Sequence, residues 1–473
     1  VLQYLREDLQ KIGTKEGCAE GDCGACTVIL ADVADGGERV TTRAINSCIR
    51  FLPTIDGKEL LTVESLQADD GELHPVQKAM VEHHGSQCGF CTPGFVMSMF
   101  ALFKNNAAPT RREIDDALAG NLCRCTGYRP IVAAAEAMYA IANNDGDANN
   151  WLRAPAGDAE PADAAGRIEL IRKARRDDSL AIEFAGRRFF APRTLAELAG
   201  LLAAHPECYL LAGGTDVGLW VTKQLQSLDT VIYLGDVEEL DSIAIDDGRL
   251  EIGAAVSLTD AMDALVRHYP QLSELLLRFA SPPIRNSGTL VGNVANGSPI
   301  GDTMPALLAL DAEVVLTSAE ATRRMPLADF YLGYQQTALG RGEFVERVSI
   351  PLPAAGTLFN TYKVSKRFDQ DISAVCGAFR VRVAGGIIEE ARIAFGGMAA
   401  IPQRAGAAEA ALCGNAWTEQ SVRDAMPLLD RDFKPISDMR SSSEYRRQVC
   451  KNLLLRFWFE SAGNDVRVYS HGR

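Results

Sequence analysis

Apolar positions in residues 74–142 recur with helical spacing and predict a run of four helices. Thr110 and Glu113 form the pattern of a capping box, which marks the start of the third helix. Prolines lie in the first turns of the others, where the missing N–H costs no hydrogen bond. The predicted helices cover residues 74–84, 93–105, 110–120 and 130–142.

The segments on either side of this helical run have a different character. Before it, short strands are predicted at 27–30 and 39–44 within a loop-rich stretch. After it, residues 143–167 are rich in Asn, Asp, Gly, Ala and Pro with little periodicity, which is typical of an interdomain linker.

From about residue 180 the pattern predicts mixed helices and strands, such as a helix at 194–204 and strands at 231–234 and 250–253. A smaller α+β unit follows residue 353, with strands and then a helix at 444–461. The whole pattern predicts a multidomain α+β protein. We place its boundaries at 1–60, 61–145, 146–178, 179–353 and 354–473.

The composition of the chain excludes some classes of function. The 473 residues carry a net charge of −14 and contain no basic tract interleaved with aromatic residues, so we expect no nucleic-acid partner. No apolar run approaches the ~18 residues of a membrane span. The chain starts at Val1 without a signal peptide or a Met, which predicts a cytoplasmic protein with an incomplete N-terminus.

Eight of the twelve cysteines form two sets of four. Without a secretion signal, such sets favour metal binding over disulfides. The first set has the C-x4-C-x2-C spacing of plant-type 2Fe–2S sites and fits zinc poorly. The second set, with C-x2-C and C-x-C, suits a 2Fe–2S cluster or zinc. The predicted metal ligands are Cys18, Cys23, Cys26 and Cys48 in the first set and Cys88, Cys91, Cys123 and Cys125 in the second.

The surroundings of both sets favour an anionic cluster. Gly17, Gly21 and Gly24 allow the backbone to wrap closely around the first set and to present N–H groups to sulfur. In the second set, Cys91 and Cys125 each precede a predicted helix, whose positive N-terminus would face the cluster.

Two glycine-rich segments are candidates for binding a phosphate-containing ligand. Residues 210–217 place Gly213 and Gly214 after an apolar strand, where freed N–H groups can cradle a pyrophosphate, although many turns share this pattern. Residues 287–302 are dense in Gly, Asn and Ser and predict either a long exposed loop or a ligand-binding loop. The absence of a G-x-G-x-x-G motif argues against a Rossmann fold.

Three long strings, at 13–26, 85–94 and 120–128, resemble the two 2Fe–2S domains of the molybdenum hydroxylases. The remainder, except the linker, is similar to the flavin domain of that family. The fused layout resembles the small, iron–sulfur/FAD subunits of bacterial xanthine dehydrogenases. The resemblance implies a β-grasp plant-type ferredoxin domain without its N-terminal hairpin at 1–60, a four-helix 2Fe–2S domain at 61–145, a linker at 146–178, an α+β FAD-binding domain at 179–353 and a small α+β C-terminal domain at 354–473.

The resemblance also implies two 2Fe–2S clusters and FAD as cofactors. Gln87 matches a residue that approaches the molybdopterin of a partner subunit, Tyr334 a residue near the nicotinamide site, and 365–372 a loop near the isoalloxazine. The implied FAD contacts are Leu210, Leu211, Ala212, Gly213, Gly214, Thr215, Asp216, Val217, Phe279, Thr289, Leu290, Val291, Gly292, Asn293, Asp302, Val345 and Lys363.

The function implied is that of an electron-transfer subunit. A molybdopterin-binding large subunit would oxidise hypoxanthine or xanthine, and electrons would pass through the second and then the first cluster to FAD and on to NAD. The family suggests two small and two large subunits, and no residue of this chain is expected to act as a nucleophile or base. Two alternatives remain: the same role with an aldehyde, CO or another N-heterocycle, and a zinc-stabilised interaction module.

Overall fold

The computed structural model describes residues 1–34, 36–145, 147 and 149–466, which form two compact units. The first unit comprises Val1–Arg193, Cys208–Tyr233 and Ala280–Gly288. The second comprises Thr194–Glu207, Leu234–Phe279 and the chain from Thr289 onward.

Strands and helices are numbered along the described part of the chain. The strands are β1 (Thr27–Val33), β2 (Val40–Asn46), β3 (Glu59–Leu61), β4 (Leu180–Phe184), β5 (Arg187–Ala191), β6 (Tyr209–Leu211), β7 (Thr230–Tyr233), β8 (Ile243–Asp246), β9 (Arg249–Gly253), β10 (Glu313–Thr317), β11 (Thr322–Pro326), β12 (Tyr331–Gly333), β13 (Gln336–Thr337), β14 (Phe344–Pro351), β15 (Thr357–Val364), β16 (Val375–Ala384), β17 (Ile387–Gly396) and β18 (Gln403–Arg404). The helices are α1 (Pro75–Glu82), α2 (Thr92–Asn105), α3 (Arg111–Leu118), α4 (Arg129–Asp145), α5 (Ala164–Ala174), α6 (Leu195–Ala204), α7 (Val217–Thr222), α8 (Leu258–His268), α9 (Ser273–Leu277), α10 (Pro282–Arg285), α11 (Leu290–Asn296), α12 (Thr303–Ala309), α13 (Gly406–Leu412), α14 (Glu419–Ala425), α15 (Leu429–Asp432) and α16 (Ser443–Ser461).

The first unit begins with a small antiparallel sheet in the order β2-β1-β3. Before β1, the described residues contain one short π-helical segment at Tyr4–Asp8 and no strand. Val28 and Ile29 of β1 are fully buried, because this central strand is covered on both faces. The predicted strands at 27–30 and 39–44 are therefore present and slightly longer than predicted.

The four predicted helices between residues 74 and 145 are present as α1–α4. Helix α2 forms the centre of their core, with Phe95, Phe100 and Phe103 fully buried. Thr110 and Glu113 make both hydrogen bonds of the predicted capping box at the start of α3. A helix buried on most of its faces owes its stability to packing more than to propensity, so α2 holds this part of the unit together.

In its described residues, the segment predicted to be an interdomain linker is a packed part of the first unit. It contains α5, and Trp151 is buried among the helices. Lys104 and Arg167 lie over the Trp151 ring, with Lys104 Nζ 4.3 Å from its centroid. Trp151 and the buried residues Ile168 and Ile171 of α5 anchor the segment. Its low density of apolar residues gave no periodicity that could reveal this packing.

The first unit contains a second sheet, in the order β4-β5-β7-β6. Strands β5 and β6 each pair in parallel with β7, and β4 pairs antiparallel with β5. Phe189, Leu211, Val231 and Tyr233 form its buried core. Strand β6 leads directly into the glycine turn at 212–216 and then into α7.

The second unit has two larger antiparallel sheets, in the orders β11-β10-β14-β9-β8 and β15-β16-β17-β18. One core of this unit packs α13–α16 against the second of these sheets around Phe379, Phe395 and Phe457. The predicted α+β fold class is confirmed. No helix in the described ranges combines the length and apolar character needed to cross a bilayer.

Residues 287–302 were expected to form a loop, and the structure instead places α11 within them. Thr289 caps this helix by accepting a hydrogen bond from the Gly292 N–H at 2.9 Å, and Gly297 ends it in the left-handed conformation. Leu290, Val291 and Val294 are buried. The high Gly and Asn content therefore marks the ends of a short core helix rather than an exposed loop.

We predict that Trp151→Ala lowers the free energy of unfolding by about 3–5 kcal/mol, because it empties a fully buried aromatic site. Chemical denaturation followed by circular dichroism measures this. Leu170→Ala, at a position on α5 that is 69% exposed, is the control and should change it by no more than about 0.5 kcal/mol. Equal effects of the two substitutions would contradict the packed role of the segment.

Candidate metal centres and cofactor site

The structure brings the four thiols of the first cysteine set together. Cys48 is hydrogen-bonded to Cys26, with 3.2 Å between the sulfurs, and also to Cys18, which is bonded in turn to Cys23. Cys26 is buried and the other three are partly buried. Because residues 18–26 form one loop and Cys48 follows β2, the sheet fixes the fourth thiol against the first three.

Backbone and amide N–H groups point at these sulfurs. The N–H groups of Asp22 and Cys23 donate to Cys18 Sγ at 3.4 and 3.3 Å, and Asn46 Nδ2 donates to Cys26 Sγ at 3.8 Å. A Cβ atom at Gly17 would lie 2.8 Å from Cys23 Sγ, so the loop can wrap this closely only with glycine there. N–H donors around four thiols suit an anionic iron–sulfur cluster.

Hydrogen bonds between the thiols of the first set shift their pKa values in opposite directions. Hydrogen bonding between the two side chains lowers the pKa of Cys18 and raises the pKa of Cys23. The hydrogen bond between Cys26 and Cys48 likewise lowers the pKa of Cys26, while bonds with Cys18 and Cys26 raise the pKa of Cys48. The thiolate is the form that binds metal, and two of the four sulfurs are biased toward it.

The second set forms two hydrogen-bonded pairs, Cys88 with Cys125 and Cys91 with Cys123. Cys88 and Cys125 are exposed, unlike any member of the first set. Burial, followed by the bond to Cys123, raises the pKa of Cys91 to about 12. Cys91 is the N-cap of α2, and Cys125 lies shortly before α4, as predicted.

Pairs of thiols are compatible with the ligand arrangement of a two-iron cluster. Each iron of a 2Fe–2S cluster binds two of the four protein ligands. Among the described residues, no three His, Cys, Asp or Glu side chains are arranged as ligands of one metal ion. The arrangement of both sets is compatible with two irons, and their role as ligands remains a prediction.

The loops that carry the two sets are in direct contact. The N–H of Leu122, next to Cys123, donates to the carbonyl oxygen of Cys23 at 3.0 Å. A Cβ atom at Gly94, in the first turn of α2, would lie 2.1 Å from the carbonyl oxygen of Gly24. This backbone hydrogen bond links the two sets: Cys23 belongs to the first set, and Leu122 is next to Cys123 of the second.

Asn46 and Asn121 are buried at these sites and were not predicted. Asn46 Nδ2 donates to the sulfur of Cys26, and Asn121 Nδ2 donates to the oxygen of Gly24 at 3.1 Å. Each asparagine precedes a cysteine of its set by two residues. This repeated Asn-x-Cys spacing was the signal that could have revealed them.

The glycine turn after β6 has the geometry expected of a phosphate cradle. Among the described residues, no protein acceptor is found for the backbone N–H groups of Gly213, Gly214 and Thr215. Gly214 has a φ of +72°, and three successive free N–H groups at such a turn form an anion-binding nest. A Cβ atom at Gly213 would lie 2.0 Å from the carbonyl oxygen of Ser287, so this glycine is needed for packing.

The glycine turn and α7 lie against the first cysteine set. A Cβ atom at Gly218 would contact the backbone of Ile49, which follows Cys48. Thr222 Oγ1 donates to the carbonyl oxygen of Ala19 at 2.7 Å. The loop that carries the first set is therefore held on one side by the second set and on another by α7.

The other predicted flavin contacts belong to the second unit. The side chains of Leu290 and Val291 are buried in its core, so only their backbone atoms are available to a ligand. The side chain of Val345, on β14, is also buried, while Phe279 is half-buried. Asn293 Oδ1 accepts a hydrogen bond from Thr303 at 2.5 Å.

Asp302 and Lys363, predicted as separate FAD contacts, form a buried ion pair with each other. Ser373 Oγ also donates to Asp302 Oδ1 at 2.5 Å, and the thiol of Cys376 donates to the Asp302 backbone oxygen at 3.6 Å. The pair thus joins α12 to β15 and β16, a structural role that the sequence did not reveal.

Three further predicted positions lie at the surface. Gln87, beside Cys88, is exposed, and so is Tyr334 between β12 and β13. The loop at 365–372 is anchored by Arg278, whose guanidinium donates to the backbone oxygens of Lys363 and Phe368 at 3.0 and 3.1 Å.

Comparison with known proteins explains this combination of sites. Residues 182–353 match the FAD binding domain in molybdopterin dehydrogenase, residues 360–461 the CO dehydrogenase flavoprotein C-terminal domain, and residues 62–136 the 2Fe-2S binding domain. The chain is 32% identical to xanthine dehydrogenase of Emericella nidulans over 97% of its own length. The chain belongs to the molybdenum hydroxylase family. The 2Fe-2S match within this family covers the second cysteine set and not the first.

Further relatives and solved structures are similar to this chain. Xanthine dehydrogenase 1 of Arabidopsis thaliana is 30% identical over 97% of this chain. These curated relatives are longer, and the chain spans 37–38% of their length. Solved chains are similar too, at a TM-score of 0.54: carbon monoxide dehydrogenase of Hydrogenophaga pseudoflava (28% identity, 59% of this chain and 96% of that one) and quinoline 2-oxidoreductase of Pseudomonas putida 86 (27% identity, 60% and 99%).

We predict that Gly94→Ala destabilises the protein by about 1–3 kcal/mol, because the new methyl group clashes with the Gly24 carbonyl between the two cysteine loops. Gly166→Ala in α5 is the matched control, since a Cβ there meets no atom within 4 Å and Ala is the better helix former. The melting temperature should fall in the first variant and rise slightly in the second. A rise in both would show that the loops do not pack closely.

Proposed function

We propose that this protein transfers electrons through two 2Fe–2S clusters and FAD as the small subunit of a xanthine dehydrogenase. The hydrogen bond from Leu122 to Cys23 carries the proposal, because it connects the two cysteine sets through the protein backbone. In this role Cys18, Cys23, Cys26 and Cys48 hold one cluster and Cys88, Cys91, Cys123 and Cys125 the other. The protein supplies position and polarity, while the cofactors supply the redox chemistry.

We propose that the free N–H groups of Gly213, Gly214 and Thr215 bind the diphosphate of FAD. The predicted contacts in the second unit, from Phe279 to Lys363, are proposed as further FAD contacts. FAD held there would supply a group that can exchange single electrons with iron–sulfur clusters and electron pairs with NAD, the proposed final acceptor. The contacts of α7 with the first set support the assignment of that set as the one nearer the flavin.

The second set is proposed to face a molybdopterin-binding large subunit. Cys88 and Cys125 are exposed, and they lie beside the exposed apolar side chains of Phe90, Leu122 and Tyr128. An apolar patch around an exposed redox site suits a protein partner. Two small and two large subunits, a cytoplasmic location and the domain boundaries given above complete the proposal.

The most detailed part of the proposal is the substrate of the partner subunit. The matches to xanthine dehydrogenases favour hypoxanthine or xanthine as substrate of the partner. The structural matches to carbon monoxide dehydrogenase and quinoline 2-oxidoreductase support a second candidate, the same electron-transfer role with CO or another N-heterocycle. Co-purification with the partner and assay with xanthine, CO and quinoline, each with NAD, separates the candidates.

We predict that Cys48→Ser and Cys123→Ser each abolish one of two EPR signals of the dithionite-reduced protein and leave the other. Each removes one sulfur ligand from one set only. FAD should remain bound in both variants, as measured by its visible absorption. A colourless wild-type protein that contains zinc would support the interaction-module alternative, and a variant that loses both signals would mean that the sets do not bind separate clusters.

We also predict that Phe90→Asp weakens binding of the large subunit at least about tenfold, which corresponds to about 1.4 kcal/mol, because buried aromatic residues dominate interface energies. Phe90 is 46% exposed, so the substitution should leave the fold intact. Phe184→Asp on β4, at a position 79% exposed, is the control and should bind normally. Unchanged binding by the Phe90 variant would place the partner on another surface.

A further inference from the structure

The carboxamide of Asn121 is buried between the loops of the two cysteine sets. Only 3% of the residue is exposed. Its Nδ2 donates to the Gly24 carbonyl oxygen at 3.1 Å and to Thr27 Oγ1 at 3.4 Å, and its Oδ1 accepts from Ser98 Oγ at 2.6 Å. Every polar atom of the side chain therefore has a partner, and the two acceptors of the Nδ2 group belong to the loop and strand next to the first set.

The hydrogen bond from Asn121 to the Gly24 oxygen is not the first that this oxygen accepts. The Gly24 oxygen also accepts from the N–H and the hydroxyl of Thr27, at 3.0 and 2.7 Å. These two bonds lie within the loop of the first set and keep it folded. The bond from Asn121 is different, since it crosses to the segment that carries Cys123.

The position of Asn121 along the chain gives this crossing bond its importance. The next residue, Leu122, donates its N–H to the oxygen of Cys23, and the residue after it is Cys123. Two consecutive residues thus bind two consecutive carbonyl groups, those of Gly24 and Cys23. A side-chain bond and a backbone bond in this order fix both the separation and the orientation of the loops.

We propose that Asn121 is a positioning residue that fixes the distance between the two clusters and so maintains electron transfer between them. The inference rests on the proposed function, because it requires a cluster in each set. Without the carboxamide, the Thr27 bonds still hold the first loop, and the Leu122 bond still joins the two loops. The clusters would then be retained but held less closely.

The test is the magnetic interaction between the two reduced clusters, measured by EPR on the full-length protein with all cofactors bound. In Asn121→Ala we expect both cluster signals at full intensity and a loss of the spin–spin interaction seen in the wild type. Thr54→Val is the control, since it removes another buried hydroxyl hydrogen bond, to the Phe51 oxygen at 2.7 Å, away from the contact. This control should lower the melting temperature and leave the interaction unchanged.

Ser98→Ala keeps the test decisive if Asn121→Ala does not retain both clusters. It removes the hydroxyl that orients the carboxamide but leaves the Asn121 side chain in place, and we expect a weaker interaction with both signals intact. An unchanged interaction in the variants that retain both clusters overturns the inference, as does a wild type with two signals that do not interact. A wild type with fewer than two cluster signals instead contradicts the proposed function.

Discussion

Two backbone loops meet in the first unit at a distance that excludes any side chain, and the arrangement of the cysteine sets depends on this contact. A Cβ atom at Gly24 would lie 2.2 Å from the oxygen of Gly120, and one at Gly94 would lie 2.1 Å from the oxygen of Gly24. Gly24 also has a φ of +70°, which L-residues with a side chain rarely adopt. Glycine is thus required on both sides, and the hydrogen bond between Leu122 and Cys23 forms only because the loops come this close.

The same contact joins the metal centres to the hydrophobic core. Helix α2 has Cys91 at its N-cap, Gly94 against the first loop, and Phe95 and Phe100 in the core. A shift of α2 would therefore disturb the second set, the contact between loops and the packing at once. Sites on rigid elements keep their geometry better than sites on free loops, and both sets gain this rigidity from one helix.

Local patterns predicted the parts of this protein that depend on local contacts. The spacing of Cys18, Cys23 and Cys26 identifies one loop, and the capping box at Thr110 identifies the start of one helix. The Asn-x-Cys spacing marks Asn121 in the sequence but does not give its role, because its partner Gly24 is 97 residues away. The ion pair between Asp302 and Lys363 could not be predicted either, because it depends on how α12 lies against β15. Composition was misleading at 290–296, where the buried residues between a Thr cap and a Gly cap define a helix.

The difference in burial between the two sets has an electrostatic consequence for the proposed electron path. Burial disfavours added negative charge, so a cluster in the more buried first set would be harder to reduce than one in the more exposed second set if nothing compensated. The N–H groups of Asp22 and Cys23 and the amide of Asn46 supply that compensation by donating to sulfur. In the proposed assembly the partner covers Cys88 and Cys125 and removes water from the second set. Docking would then lower the potential of the outer cluster, and electrons arriving there would move more readily to the inner cluster, whose donors are already built into the fold.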